Sequence, residues 1–545
     1  MFDRSTTPFP NFPQSLLLCL PPLVAFAIAG YPITDWLIDD ALISFAYARN
    51  LADGAGFVSQ PGKVPVEGFS NPLWTLLFVP RFWLNPEVPL WTAKILGHLF
   101  SFGTFFFGFH IVVRLTRSPL LGCLAMTFLA LNTSFVVWNV SGLENALYAF
   151  EIIALAYLCL LTLDRLTWRL AVTAGLLAAA AALTRPEGIM FALLWPSAVL
   201  VQTVRDRRLS PAALRPGLAY LAAAALPVIA YKAMALIYFG NLFPSTYYAK
   251  GGPDLDTVLG ILLLEGSLIN NGLDLLAGLF GFAWLALGLF LIAFGLCIIA
   301  KRAVAPLVFL TGATLLALVT FMLLPRDWMG EFRFGTPFLV LFYPTLFSMI
   351  WIANDSLPKA RFLSRQFPAL VIVAVLAASS ILVHQIRFAR FYDQPTAPFT
   401  DIAERYVERF NKAAEILGVE QASFLLPDLG ATLFYSKLEI IDLAGLTDAT
   451  IARTLRKDND SLYDYIFNDV KPTFILTYAY SALAADLDSS PQFRQQYIPL
   501  REKIDPIASD IAGRTIYSGT YVRADVVEDR PDALSRARAV LFGTP

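Results

Sequence analysis

Charge is scarce in this chain of 545 residues. Asp, Glu, Lys and Arg make up 15% of it and hydrophobic residues 57%, whereas soluble domains average about 25% charged. With a mean hydropathy of +0.60, too few polar residues remain to coat a water-facing surface, and most of the chain is expected in lipid. A basic excess is missing too. The formal net charge of −1 excludes the cationic face that a nucleic-acid partner requires. The four cysteines (Cys19, Cys123, Cys159 and Cys297) all lie in apolar runs, with neither metal-site nor disulfide-framework spacing, and read as small core residues. The C-terminal third has none, so it is free to fold outside the cytoplasm without disulfides. Only three histidines are present (His98, His110 and His384), and no His/Cys/Asp cluster has zinc spacing. No P-loop, G-x-G-x-x-G or G-x-S-x-G motif occurs, so direct use of a nucleotide is not expected. Internal repeats, low-complexity tracts and long linkers are absent as well.

Long apolar runs are plentiful. Runs of about 20 residues mark transmembrane helices, and eleven are predicted, at about 15–31, 89–113, 118–133, 144–163, 170–184, 188–204, 216–239, 272–299, 304–324, 333–353 and 367–386. The first run is short enough to resemble a signal peptide, with Ala27-Ile28-Ala29 as a cleavage-like site. Asp3 beside Arg4 and the Pro21-Pro22 break favour a retained span. Pro72 to Leu84 is too short to cross and is broken by Pro80, Arg81 and Asn85; it is predicted to be an interfacial helix.

Orientation follows from Lys and Arg in short loops. With the N-terminus inside, every alternate loop is basic: Arg114 and Arg117; Arg165 and Arg169; Arg205, Arg207, Arg208 and Arg215; Lys301 and Arg302; Lys359, Arg361 and Arg365. The opposite loops mix acids and bases with Gly, Pro and aromatics: Ser141–Asn145, Thr184–Gly188, Gly240–Lys250 and Arg326–Arg333. All the unusual chemistry falls on that one side. It shares the side with the polar stretch Ile38 to Trp74, which holds an adjacent acid pair, Asp39 and Asp40.

Two neighbouring carboxylates at the end of a span are costly unless they act or face water. Such an acid suits a general base for an acceptor hydroxyl. The pair also suits a divalent cation, Mg, Mn or Ca, through oxygen ligands. Helix capping is the plain alternative; it accounts for one Asp and leaves the second over. Arg185 and Glu187 flank Pro186, and either pair with each other or leave the Arg to grip a phosphate. Lys250 ends an aromatic loop that includes Tyr247, and either snorkels or neutralises a lipid phosphate. Arg326 and Arg333 bracket Asp327 and Trp328; an interfacial belt is their structural alternative. Several outward loops each offering a cation point to a shared anionic ligand. Glu67 and Asn71, in a Pro/Gly-rich loop, either line a sugar pocket or make turns.

Beyond about Phe388 the composition changes. A helix-period stretch, Phe399 to Leu417, leads to apolar runs at Ala422–Leu426, Leu438–Leu443 and Thr473–Tyr478, with helical patterns at about Asp448–Lys457 and Ser461–Asn468. Strands alternating with helices predict a small α/β domain, and eleven spans from an inside N-terminus place it outside.

These residues carry a resemblance. Asp39–Asn50 with Val66–Trp74 resembles the first extracytoplasmic loop of GT-C membrane glycosyltransferases, in particular the group of the mycobacterial terminal arabinofuranosyltransferases. Thr184–Gly188, Pro244–Lys250 and Asp327–Met329 resemble later motifs of that group, as do Pro427–Ala431 and Ile441–Asp448. The resemblance implies an inverting transferase that uses a polyprenyl-phosphate sugar at the outer leaflet. Asp39 or Asp40 would deprotonate the acceptor, and Arg185, Lys250, Arg326 and Arg333 would hold the donor phosphate. Glu187, Tyr247, Asp327 and Trp328 join Glu67 and Asn71 as expected substrate contacts. One departure is Ala46, where relatives often carry Arg; arabinofuranose is the leading sugar.

The sequence thus predicts a polytopic α-helical protein of GT-C type in a bacterial inner membrane. Residues 1–387 are its catalytic part, with a first periplasmic loop at 31–88, and residues 388–545 form a periplasmic α/β domain. Its partners would be a polyprenyl-phosphate sugar, a cell-envelope glycan or glycoprotein acceptor, and membrane lipid. The rival readings are a flippase for a lipid-linked glycan, which inverted repeats and midplane helix breaks would favour, and a non-catalytic scaffold, which leaves the acids and cations unexplained.

Overall fold

A computed structural model describes residues 10–207, 213–250, 266–281, 283–355, 367–528 and 530–543. Arg208, Lys359, Arg361 and Arg365 of the predicted basic loops lie outside them, as does the side chain of Lys250. The chain divides into two compact units: Met1–Trp36, Leu90–Tyr231 and Pro253–Thr396 in one, Leu37–Pro89, Lys232–Gly252 and Ala397–Pro545 in the other.

The first unit is helical, and each predicted span falls on a helix. Among the described residues seven helices are long and apolar enough to cross a membrane: Phe12–Ile33, Leu90–Thr116, Asn145–Thr162, Pro186–Asp206, Leu214–Phe239 (whose residues from Lys232 on belong to the second unit), Val304–Leu323 and Arg333–Asn354. The spans predicted at 118–133 and 272–299 are bent pairs, Pro119–Ala130 with Thr133–Asn139 at 70° and Gly266–Phe280 with Trp284–Ile299 at 86°. Counting each pair as one crossing gives nine. The first bend has a local cause. The Asn132 side chain accepts from Phe135 N–H at 3.1 Å, which caps a new helix and ends the old one. Trp168–Thr184 is a shorter apolar helix, and the last predicted span lies within Phe367–Asp393.

The second unit gathers three separated segments. Helix Ala41–Ala52 packs on helix Pro72–Phe82, the predicted interfacial helix. Their joint is hydrogen-bonded: Ser44 and Thr75 both donate to the Asn71 side-chain oxygen, at 3.0 and 3.2 Å. The C-terminal segment folds around a five-stranded sheet. Its strands are β1 (Ser423–Leu426), β2 (Glu439–Asp442), β3 (Phe474–Thr477), β4 (Tyr497–Ile504) and β5 (Tyr517–Arg523), in the order β2-β1-β3-β5-β4. The first three strands are parallel, as the strand–helix alternation predicted. β4 and β5 are antiparallel additions that the apolar runs did not announce. β4 passes from apolar residues (Tyr497–Leu500) to charged ones (Arg501–Lys503), buries only Tyr497 and Leu500, and shifts register at Pro499/Arg501, so it carries no buried run to read. One sheet face presents Phe424 and Phe474 to Phe410, whose ring stacks on Phe424 at 4.0 Å. The other presents Leu425, Ile441 and Ile475 to Ile451, Leu462, Ile466 and Phe467. The period of two in β1 and β3 thus serves two helical layers.

Candidate functional site

The acid pair stands at the start of helix Ala41–Ala52, and its two members have different surroundings. Asp39 is 3% exposed. Its two carboxylate oxygens accept backbone N–H groups from Gly430 (2.8 Å) and Ala431 (2.7 Å), and its own N–H donates to Ala397 O (2.9 Å). Burial pushes the Asp39 carboxyl well above the usual range, helped by the charges of Asp40 and Asp428 and opposed by the two amides. Asp40 is half-buried and occupies the N-cap position, yet its side chain makes no capping bond. Neither acid caps its own helix; Asp39 instead takes the first two N–H groups of helix Gly430–Tyr435.

Asp428 belongs to the same neighbourhood. Its carboxyl is pushed up to about 6, by burial first and by the charge of Asp40, against a hydrogen bond from Tyr478. The Tyr478 hydroxyl lies 2.8 and 2.7 Å from the two Asp428 oxygens. Sequence reasoning matched Pro427–Ala431 as a motif but gave Asp428 and Tyr478 no role. Their only signal was position at the ends of the apolar runs that became β1 and β3.

Glu67 and Asn71 are both buried. The Glu67 carbonyl accepts Ser245 N–H (3.0 Å), and the Asn71 side chain ties the two helices of the loop together, as described. Tyr247 is half-exposed and stacks on Phe243 at 4.8 Å. The adjacent carbonyls of Tyr248 and Ala249 accept from Lys457 (2.9 Å) and Arg456 (3.0 Å). These bases, with Arg453, form a basic run 453–457 that the sequence reading passed over.

The other predicted cations lie in the helical unit. Pro186 disfavours a helical Arg185, and Arg185 is extended (φ −149°, ψ 141°), which ends its helix and turns the side chain aside. Its guanidinium pairs with Glu144 and Glu187 and lies 4.8 Å over the Phe334 ring. Arg333 lies 4.7 Å from the same ring and pairs with Asp327 at 2.6 Å. Two buried guanidiniums thus lie over the one Phe334 ring. Arg326, Asp327 and Arg333 line one cavity of about 150 Å³ with Phe334, Glu331 and Asn271. Arg326 is largely exposed and pairs with Asp274 at 2.9 Å. Trp328, 66% exposed, is not among the cavity's lining residues. The loop under the cavity holds three successive left-handed residues, Gly330, Glu331 and Phe332. Two of them are not glycine, a strain that persists where neighbours over-determine it. Glu331 is fixed by Arg387, and the Arg387 guanidinium lies 4.9 Å over the Phe332 ring.

No group of three or more His, Cys, Asp or Glu among the described residues is arranged to hold a metal. Each oxygen of Asp39 already accepts one amide hydrogen, so this acid is anchored by backbone.

Residues 400–523 match a family described as a domain of unknown function (DUF8728). No curated protein matches the chain in sequence. Among solved structures, the chain is similar to the oligosaccharyltransferase AglB from Archaeoglobus fulgidus, in complex with an inhibitory peptide and a dolichol-phosphate (TM-score 0.54, 11% identity, 94% of this chain and 75% of that one). It is similar to the same organism's enzyme tethered to an acceptor peptide (TM-score 0.56, 11% identity, 90% and 72%). ArnT from Cupriavidus metallidurans bound to undecaprenyl phosphate scores 0.48 at 12% identity, over 93% and 98%. The likeness to AglB shows the fold: a GT-C membrane architecture with a C-terminal domain built on a small sheet.

Proposed function

We propose that this protein is an inverting glycosyltransferase that takes a sugar from a polyprenyl-phosphate donor. The observation that carries the reading is the cavity lined by Arg326 and Arg333, with Arg185 and Arg333 both over the Phe334 ring. Guanidiniums are the planar, bidentate partners that phosphate recognition favours, and here acids keep them neutralised until an anion competes. The fold adds support, since the AglB structure contains a dolichol-phosphate.

In this reading Asp40 is the base, and Asp39, held by the amides of Gly430 and Ala431, anchors the loop beside it. The acceptor O–H bond breaks and its proton goes to Asp40. The acceptor oxygen bonds to the anomeric carbon as the bond from that carbon to phosphate oxygen breaks. The lipid phosphate leaves with the electron pair, held by Arg326 and Arg333, with Arg185 alongside. General-base assistance of this kind contributes roughly 10²–10⁴-fold. The sugar is proposed to be arabinofuranose and the acceptor a cell-envelope glycan or glycoprotein. The setting is a bacterial inner membrane with residues 388–545 in the periplasm.

The test is transfer by purified protein from a panel of synthetic polyprenyl-phosphate sugars, arabinofuranose included. Asp40→Asn should lower transfer about 10²–10⁴-fold while donor binding survives. A panel in which no donor turns over, with a deletion strain that lacks whole glycan units and not one sugar, would sink the transferase and bring the flippase forward.

A further inference from the structure

The C-terminal sheet has a crevice of the kind that open α/β domains use for ligands, and this chain fills it itself. β1 lies between β2 and β3. The chain therefore leaves β1 in one direction for β2, then returns past β1 to reach β3. That reversal falls between the carboxyl ends of β1 and β3, the place where such sheets bind ligands. Asp428 lies two residues beyond β1 and Tyr478 one beyond β3, and their side chains meet there. Beside them, the N–H groups of Gly430 and Ala431 point at an acceptor, and the acceptor is the carboxylate of Asp39. The fit is close: a Cβ on Gly430 would stand 1.7 Å from Asp39 O and 2.7 Å from its carboxyl carbon. Ala479, next to Tyr478, is held in a left-handed conformation (φ 46°) by its N–H to Asp505 (3.0 Å) and Ser518 (3.2 Å). The turn that presents Tyr478 is over-determined in the way that strained functional turns are.

We propose that Asp39 is a positioning residue, the built-in occupant of this crevice, and that by seating it the C-terminal domain sets Asp40 beside Asp428 and becomes part of the proton-accepting centre. The catalytic half of this inference rests on the transferase reading; the clasp does not. Four titratable groups face Asp428: Tyr478, Tyr406, Asp39 and Asp40. Three carboxylates and two phenols share the space. Asp39 has both oxygens bound by backbone, and Asp428 is held by a phenol that is one-third exposed. Asp39 is therefore fixed in place, while Asp428 remains able to exchange a proton.

The clasp is tested without substrate, by hydrogen-exchange mass spectrometry on the full chain in detergent. Asp39→Asn places a donor against one of the two amides, and Gly430→Ala pushes the loop away. Each should speed exchange across 38–47 and 429–435 at least tenfold, whereas Asp40→Asn should leave it unchanged. Protection equal to wild type in Asp39→Asn overturns the clasp. The catalytic half is tested by the pH dependence of transfer. Wild type should show a step near pH 6 that vanishes in Asp428→Asn, with the donor KM unchanged and kcat lowered. Tyr478→Phe, which leaves the clasp amides intact, should move that step to higher pH. A step that persists in Asp428→Asn overturns the domain's part in proton acceptance. If wild type transfers no sugar at all, the transferase reading and this half fall together, and the exchange data alone decide the clasp.

Discussion

Asp39 and Asp40 are adjacent in the chain and opposite in use. An acid whose two oxygens each receive an amide hydrogen is held still, even where burial disfavours its charge. Removing it strands two buried donors, each costing about 1–3 kcal/mol. Asp40 has a similar sequence environment and no capping bond to its own helix. No pattern of residues could have ranked them, because the partners of Asp39 lie 391 and 392 positions away. The same holds for Phe334. Its neighbour Arg333 was legible as a cation at an outer boundary, but that Arg185 arrives over the same ring was not. Each cation–π contact contributes about 0.5–2 kcal/mol. Phe334→Leu should therefore weaken binding of a polyprenyl phosphate roughly tenfold by titration in detergent; unchanged affinity would remove the arginine pair from the phosphate site.

At the scale of elements, breaks in regular structure place the chemistry. Pro186 ends one helix at Arg185, and the short 3₁₀ segment Pro186–Leu193 then turns back so closely that a Cβ on Gly188 would lie 2.0 Å from Ala181 O. Only glycine fits there. Gly188→Ala should cost about 1–3 kcal/mol, the usual penalty of overpacking, and lower the unfolding temperature measured by intrinsic fluorescence; an unchanged temperature would mean that the segment is not packed as described. In the sheet domain, burial first of all pushes the carboxyls of Asp428 and Asp442 up to about 6 and about 7, from an ordinary value of 3.8. The folded chain therefore holds protons that the unfolded chain has released across that range. The stability these two groups contribute is complete below about pH 4 and is lost as pH rises through 6 and 7. Amides of β1 and β2 should be better protected at pH 5 than at pH 8, after correction for intrinsic exchange, and the reverse order would refute the shifts.

At the scale of the whole molecule, the proposed orientation rests on the positive-inside pattern and makes a direct prediction. Three of the four cysteines are buried and Cys123 is partly so, which leaves little background for labelling. A Glu420→Cys variant should react with a membrane-impermeant maleimide in cells whose outer membrane has been opened, and Arg165→Cys only after lysis; both positions are exposed. Labelling of Arg165→Cys alone before lysis would invert the topology. Residues 37–89 and 232–252 also belong to one compact unit with 397–545. Loop residues written hundreds of positions apart thereby share one folded body.

What the sequence determined by itself is whatever depends on local order and on the solvent a segment must face. The membrane helices and the β1–β3 alternation follow from runs and periods, because lipid forces each span to satisfy its own backbone. The tertiary structure alone decided which acid is clasped, which arginines share a ring and a cavity, and that Asp428 and Tyr478 meet beyond β1 and β3. Those are pairings between distant positions. They are fixed by crossover direction and close packing, which leave no trace in any window of residues.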